Sequence, residues 1–553
     1  MIKNNKIISA LFLSAALVGC TKLDEKLGNT LTSQQAATAL GAAGVGLLLQ
    51  AAYNDLGGPF TGQDQVFSLE ENTSDESLVP TRGGDWDDNG VWRVLHNHTF
   101  NADHGQVLSV YNNLNKINFD ATNVLGFNPS KQQAAEAKFI RSYALYFLLD
   151  LYNQFPVRNP GDNLLNAPKV YNAADGATFI IGELTAALPD LPADNSPTHA
   201  TQTACKALLM KCYLNKGAWA NRAAPTFDAA DMQQVITLGK QIISSGSYKY
   251  EGNYFHNFDA VNGNSTENIF TYPNASGNSA NNSGPQARWC MTLHYNQETD
   301  YNPNAGWNGF STISDFYNSF GAVAPMVGVT QFKGGNISGL YADTAADDRI
   351  GGKYYLGVTN FSGQKPGLMI GQQYNEKGVA LKDRKGAPLA FDPTIASDMK
   401  ETGANLEVTG IRVEKYPPDF TNGTKYYEGP AGNDIVLLRY ADVVLMVAEA
   451  ELRTSNAADA LVLVNGLRAA RHAAPMASLS LVNTSNVEDG ATFLGERGRE
   501  MYWETSRRTD LIRFGVFLKT WQYKPTDDPK YLLTPIPSQA LAANPNLVQN
   551  PGY

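Results

Sequence analysis

Only four cysteines occur in 553 residues, and the first, Cys20, closes an N-terminal apolar run. The remaining three, Cys205, Cys212 and Cys290, are an odd number, which excludes a fold resting on a disulfide framework. Cys205 and Cys212 are spaced about 10 Å along a predicted helix, too far to bridge, so all three read as small buried apolar side chains. Basic residues are also few, with 43 Lys and Arg against 53 Asp and Glu. Without a basic footprint the chain is not a nucleic-acid binder. No apolar run is long and clean enough to span a bilayer. Ile7 to Val18 is too short, and the uncharged stretch "ATALGAAGVGLLLQAAY" is broken by Thr, Gln and glycines, so it reads as a buried first helix. A phosphate-cradling glycine loop, a Rossmann fingerprint, a nucleophile elbow and an H-E-x-x-H pair are missing from any usable context, so neither cofactor nor metal is expected.

What is present begins with the leader. Lys3 and Lys6 precede the apolar run, which ends in "LVGC". That ending resembles the lipobox of bacterial lipoproteins, where cleavage falls before the cysteine and lipid is attached to it. Residues 1–19 are then a signal peptide and Cys20 is the lipidated residue, anchored by acyl chains that each bury ~0.8 kcal/mol per CH₂. Losing Lys3 and Lys6 takes the formal charge from −10 to −12. Asp24 and Glu25 in "CTKLDEK" resemble the acidic tag that sends some lipoproteins to the outer face of the outer membrane.

Helical periodicity dominates both ends of the chain. In "KQQAAEAKFIRSYALYFLLDLYNQ", Phe139, Tyr143, Tyr146, Phe147 and Leu151 share a broad face, and Pro156 is the expected stop. "ATFIIGELTAAL", "TQTACKALLMKCYLNKGAW" and "DMQQVITLGKQIISSG" follow as further helices. The C-terminal third resumes with "NDIVLLRYADVVLMVAEAELRT", "AADALVLVNGLRAARH" and "ATFLGERGREMYWETSRRTDLIRFG". Pairs of this length suggest an irregular tetratricopeptide-like arrangement. Between about 251 and 430 the texture changes to Asn, Gly and Ser with scattered aromatics. This reads as long ordered loops, where binding functions concentrate. The division is one domain over 20–553, with a tether over about 20–38. A helical scaffold covers about 39–250 and 431–553, and a loop-rich elaboration covers about 251–430.

Three stretches then carry a resemblance: "RYADVVLMVAEAELRT", "ERGREMYWETSRRTDLIRFG" and the ending "YLLTPIPSQALAANPNLVQNPGY". With the lipobox and "EAKFIRSYALYFLLDLYNQFP", they resemble the SusD/RagB family of outer-membrane lipoproteins. The resemblance implies a mainly α-helical scaffold of four helical pairs with a loop-rich ligand-binding face, and a role without catalysis. It also implies two partners, an oligosaccharide and a SusC-like TonB-dependent outer-membrane transporter that receives it. The expected place is the cell surface, on a lipid anchor.

A protein that captures glycans needs flat apolar plates for sugar C–H faces and planar polar groups for hydroxyls, and aromatic rings supply area at low entropic cost. In "TSDESLVPTRGGDWDDNGVWRVLHNHTF" the candidates are Asp75, Arg82 and Trp86, with Gly83 and Gly84 allowing a tight turn that presents Trp86. Trp92, ahead of a helical segment, is expected to be buried. In "RWCMTLHYNQETDYNPNAGWNGFSTISDFY" they are Trp289, Tyr295, Trp307 and Asn308. A peptide-binding member of the same family is the alternative, and a glycoside hydrolase a more distant one. Glu500 and Glu504, four apart on a predicted helix, would be the pair a hydrolase needs, but Arg508 follows Glu504 at ion-pair spacing and the segment reads as a structural charge network. His96, His98 and His104 read as solvent-facing or capped rather than metal-ligating, and Asp343, Asp347 and Asp348 as a weak calcium candidate beside Arg349.

Overall fold

Helices form where apolar side chains recur behind good caps. The computed structural model describes residues 33–274, 287–297, 306–321, 332–333, 336–337, 347–351, 366–373, 379–403, 406–417, 431–525 and 527–553. The leader, Cys20, most of the tether and Asp343 lie outside these residues.

Among the described residues eight long helices make the scaffold: α1 (Ser33–Asp55), α2 (Gly105–Gly126), α3 (Lys131–Tyr152), α4 (Ala173–Ala187), α5 (Gln202–Ala220), α6 (Ala229–Ser244), α7 (Tyr440–Arg453) and α8 (Ala457–Ala470). From α2 onward each packs on the next, and α1 packs against α2 and α3. The fold is mainly helical. Ser130 and Gln133 form a capping box at the start of α3, and Thr201 and Asp228 cap α5 and α6. From Phe139 to Tyr152 every residue of α3 is buried, so it is a central helix rather than one with a single apolar face. It ends at Asn153, which takes the left-handed conformation (φ 63°). Pro156 comes later, in the strand Gln154–Val157. The apolar stretch at 37–53 is the helix α1, with Val45, Leu49 and Ala52 buried and a kink at Gly41. No helix among the described residues is long and apolar enough to cross a membrane. Cys205, Cys212 and Cys290 are buried.

Helices α6 and α7 are neighbours although residues 245–439 run between them. Two antiparallel strands, Asn268–Tyr272 and Ile435–Arg439, clamp the base of that excursion. Ile435–Leu438 therefore pairs as a strand where its apolar run had read as the start of α7. The described part of 251–430 forms short two-stranded pieces, such as Arg412–Glu414 against Gly367–Met369. Residues 56–104 join this layer, with Thr81–Arg82 running parallel to Lys400–Glu401.

The segment 491–515 is two helices, α9 (Phe493–Met501) and α10 (Arg507–Arg513), not one. Trp503 and Thr505 break it with positive φ (59° and 58°). The break lets the Trp503 indole N–H donate to Glu76 O at 3.1 Å and the ring pack on Phe67 at 5.4 Å. Glu500 and Glu504 thus do not share a helical face. Glu500 binds Arg439 at 2.6 Å, Arg471 at 2.8 Å and Arg349 at 3.2 Å. Glu504 binds Arg439 at 2.7 Å and Lys415 at 2.5 Å, not Arg508. The charge network is structural, as its composition suggested, but its pairings join the loop layer to the helices rather than running along one helix.

The histidines take the capped one of the two expected forms. His96, His98 and His104 are buried rather than solvent-facing, and each ring meets a backbone carbonyl: Ser77 O, Thr73 O and Val91 O respectively. Asp347 is bound by the Arg349 guanidinium at 2.6 Å, and Asp348 by His472 at 2.6 Å.

Candidate functional site

The site is built on the turn Arg82-Gly83-Gly84-Asp85. Arg82 and Asp85 exchange backbone hydrogen bonds at 2.9 and 3.1 Å, and Gly83 adopts φ 68°. This tight turn delivers Trp86 half-buried, at φ 61°, a conformation that a bulky residue holds only when its surroundings impose it. Those surroundings are explicit. The indole N–H donates to Trp307 O at 2.8 Å, and the ring meets Trp92 at 5.4 Å and Phe310 at 5.6 Å, both edge-on. Trp92 is buried, as its position before a helix implied.

Two buried arginines fasten the loops behind Trp86. Arg82 donates to Gly309 O at 2.6 Å, Thr409 O at 2.6 Å and Ser311 Oγ at 3.0 Å. Arg412 donates to Asn308 Oδ1 at 2.8 Å and Glu407 O at 3.0 Å. Burial pushes the Arg82 guanidinium down to about 9, which leaves it charged at neutral pH among carbonyl oxygens. A β-carbon on Gly309 would sit 2.4 Å from the Trp86 ring. Gly309→Ala is therefore expected to tilt that indole and cost about 1–3 kcal/mol through overpacking. A lower thermal midpoint with a changed tryptophan fluorescence spectrum would show it; an unchanged midpoint and spectrum would refute the close packing.

Beside Trp86 lies a second group. The Tyr295 hydroxyl donates to Asp85 Oδ2 at 2.8 Å, and the Arg384 guanidinium stacks 4.0 Å from the Tyr295 ring centre. Arg384 also reaches Asp85 at 3.1 Å and Glu407 at 2.6 Å. Glu407 takes a further bond from buried His294 at 2.9 Å. Burial lowers His294 to about 4, outweighing the Glu407 bond, so the ring is neutral. Because His294 Nδ1 accepts from Asn296 N at 3.0 Å, its proton sits on Nε2, facing Glu407. Burial would raise the Glu407 carboxyl, but bonds from Arg384 and His294 outweigh it and hold the group below its ordinary value. Burial and the bond to Asp85 push the Tyr295 phenol up. A glycosidic general acid needs the opposite of Glu407, a carboxyl held protonated at neutral pH.

The structure brings five of the seven expected ligand residues into one cluster. Trp86, Tyr295 and Trp307 are half-buried rings at its surface, while Arg82 and Asn308 are buried supports. The other two are elsewhere. Asp75 is fully buried and grips Arg507 through both oxygens at 2.6 Å. Trp289 is buried in a one-turn helix whose Arg288 donates to Phe60 O at 2.7 Å. Three members were not singled out from sequence: Arg384, Glu407 and Arg412. Arg384 lies in "KDRKGAPL", a charged turn with no ring or periodicity to mark it.

Comparison with known proteins agrees with this architecture. Residues 266–553 match the profile described as the SusD family. A SusD-like protein of Formosa agariphila is 32% identical over 130 residues, which are 21% of this chain and 24% of that protein, so the match spans about a quarter of that relative's length. Among solved structures, a SusD-like protein from Bacteroides fragilis superposes with a TM-score of 0.66 at 18% identity, covering 93% of this chain and 97% of its own. A laminarin-binding SusD-like protein gives 0.64 at 19% identity, covering 93% and 100%. Surface glycan-binding protein A from Bacteroides uniformis gives 0.61 at 17% identity, covering 92% and 98%.

Proposed function

This chain belongs to the SusD family of non-catalytic binding proteins, and from that we propose that it binds an oligosaccharide at the cell surface. The bound glycan is passed to a SusC-like TonB-dependent outer-membrane transporter, with the protein held at the membrane by lipid on Cys20. The observation that carries the reading is the surface cluster of Trp86, Tyr295 and Trp307 beside Asp85 and Arg384. The rings offer flat apolar faces, and the carboxylate and guanidinium offer planar groups to hydroxyls. The laminarin and surface-glycan binders that share the fold support the ligand class.

Affinity of the free protein is modest, because hydroxyl desolvation offsets ring stacking. Retention rises when protein and transporter enclose the same glycan, through effective concentration. The test is affinity gel electrophoresis of the chain lacking residues 1–20 in a panel of polysaccharides. One glycan class is expected to retard it, with Trp86→Ala and Trp307→Ala each weakening retardation about tenfold, or ~1.4 kcal/mol. Release of reducing sugar would point to hydrolysis. Binding of peptides with no response to any glycan would replace the sugar by a peptide ligand.

A further inference from the structure

The antiparallel strands Gln154–Val157 and Lys169–Asn172 are joined by a turn that puts two leucines into water. Leu164 is 64% exposed and Leu165 93%, the most exposed of the large apolar side chains among the described residues. The turn that carries them is tightly bonded. Asn163 O and Leu164 O accept from the Arg158 guanidinium at 3.1 and 3.3 Å. Leu165 N donates to Asn163 Oδ1 at 2.9 Å, and Asn166 N to Asn163 O at 3.0 Å. Asn159 N donates to Asp162 Oδ2 at 2.7 Å, and Asp162 N to Asn159 O at 3.1 Å. These backbone groups beside the leucines are thus satisfied from within the turn. Water would bond them readily, but an apolar medium requires internal partners.

The turn stands at the end of the scaffold where the chain meets its tether. A β-carbon on Gly126, the last residue of α2, would lie 3.7 Å from Pro160 Cβ. The leucine turn is therefore beside the connection from α2 to α3. Helix α1 reaches the same end. Tyr53 bonds Glu136 at 2.7 Å, and a β-carbon on Gly46 would lie 3.9 Å from Gln133 in the first turn of α3. Followed back toward Ser33, α1 runs past the start of α3. From Cys20 to Ser33 a fully extended chain spans at most about 45 Å. Lipid on Cys20 would therefore tether the scaffold by this end.

We propose that Leu164 and Leu165 form a second membrane contact, seated in the surface of the bilayer that holds the lipid. The inference rests on the lipid anchor proposed above. Two leucines are too few to hold a free chain at a membrane, but the anchor supplies them with a high effective concentration of lipid. The loop from Arg158 to Lys169 carries two cations and one anion, so negatively charged headgroups do not repel it. Two points of attachment fix the tilt of the chain against the membrane, where the lipid alone leaves it free to turn.

The test uses the full chain acylated on Cys20, in vesicles of phosphatidylethanolamine and phosphatidylglycerol. An environment-sensitive fluorophore is attached at Leu165→Cys, because Cys205, Cys212 and Cys290 are buried. The control is Val462→Cys, 72% exposed on α8 at the other end of the helix series. An interfacial depth of about 5–10 Å brings the first probe within reach of nitroxide-bearing lipids, so its emission should fall about twofold or more while the control stays unchanged. With the probe at exposed Ala167→Cys, the same quenching is expected. It should vanish when Leu164→Asp and Leu165→Asp are added, with the thermal midpoint unchanged. The inference is overturned if the Leu165→Cys probe is quenched no more than the control, or if quenching at Ala167→Cys survives the loss of both leucines. Protection of Leu165→Cys from a water-soluble maleimide by the transporter, with no quenching by vesicles, would overturn it in favour of a protein partner. The mass of the N-terminal peptide reads acylation separately. An unacylated Cys20 overturns the anchored reading and this inference with it, whereas an acylated chain with an unquenched tip overturns this inference alone.

Discussion

Glu500→Gln is expected to lower the free energy of unfolding by about 3–5 kcal/mol, the cost of breaking a buried ion pair from one side. The side chain is fully buried and is shared by three guanidiniums, those of Arg349, Arg439 and Arg471. Burial alone would raise its carboxyl, but Arg471, Arg439 and Arg349 outweigh it and hold the group far below the ordinary range. Glutamine keeps the shape and removes the one charge that all three buried cations share, leaving Arg471 with Glu267 as its remaining carboxylate among the described residues. The loss reaches beyond one helix, because Arg349 belongs to the loop layer while Arg439 and Arg471 flank α7 and α8. Asp87→Asn is the control: its side chain is 49% exposed and pairs with Arg93 at 3.0 Å, so its effect should stay within ~1 kcal/mol. Urea unfolding followed by tryptophan fluorescence compares the two. Equal midpoints for both variants would mean that the network contributes nothing to stability.

A second large effect concerns pH. Glu414 is fully buried on the strand Arg412–Glu414, and neither carboxylate oxygen has a hydrogen-bond partner among the described residues. Burial raises its carboxyl from 4.5 to about 8. Between those values the folded chain holds a proton that the unfolded chain has released. Stability therefore falls as pH rises from 4.5 to about 8 and levels off above. Glu71, raised to about 7, has the same sign. Glu449 and Glu496 have the opposite sign. Burial would raise both, but arginines outweigh it and lower each to about 2, so their contribution is complete above the unfolded value of 4.5 and is lost as pH falls toward 2. Glu414→Gln should remove one slope and leave the other. Relative to the parent chain, the variant should gain a few kcal/mol of stability between pH 4.5 and 8. A difference between the two proteins that is flat across that window would show that Glu414 is ionised in the folded state.

The long helices were legible in the sequence because their apolar periodicity and their caps agree. The misread stretches are those where tertiary partners override local pattern. Ile435–Leu438 is apolar enough for a helix, yet pairs with Asn268–Tyr272 because that strand supplies its backbone partners. Residues 491–515 look continuous, but Trp503 and Glu504 turn away to Glu76 and Arg439. In the site, glycines beside a tryptophan pointed to the turn at Gly83 and to Trp86, and rings in a polar loop pointed to Tyr295 and Trp307. Asp75 was misjudged because a loop aspartate beside such a turn looks available, while its partner Arg507 lies hundreds of residues away in sequence. Arg384 was missed for the converse reason, since only its placement over Tyr295 gives it meaning.

The packing of α6 on α7 across residues 245–439 has a consequence for how such chains diversify. Closing a longer excursion costs little more than closing a short one, with each doubling adding only ~0.6 kcal/mol. Once the clamp of Asn268–Tyr272 and Ile435–Arg439 is in place, the excursion can be lengthened away from its buried ion pairs at Arg349 and Lys415 with little penalty to the stacked helices. The same arrangement delays maturation. The last layer of the stack waits for a distant part of the chain, so the newly exported polypeptide should fold slowly and expose the facing sides of α6 and α7 until the clamp forms.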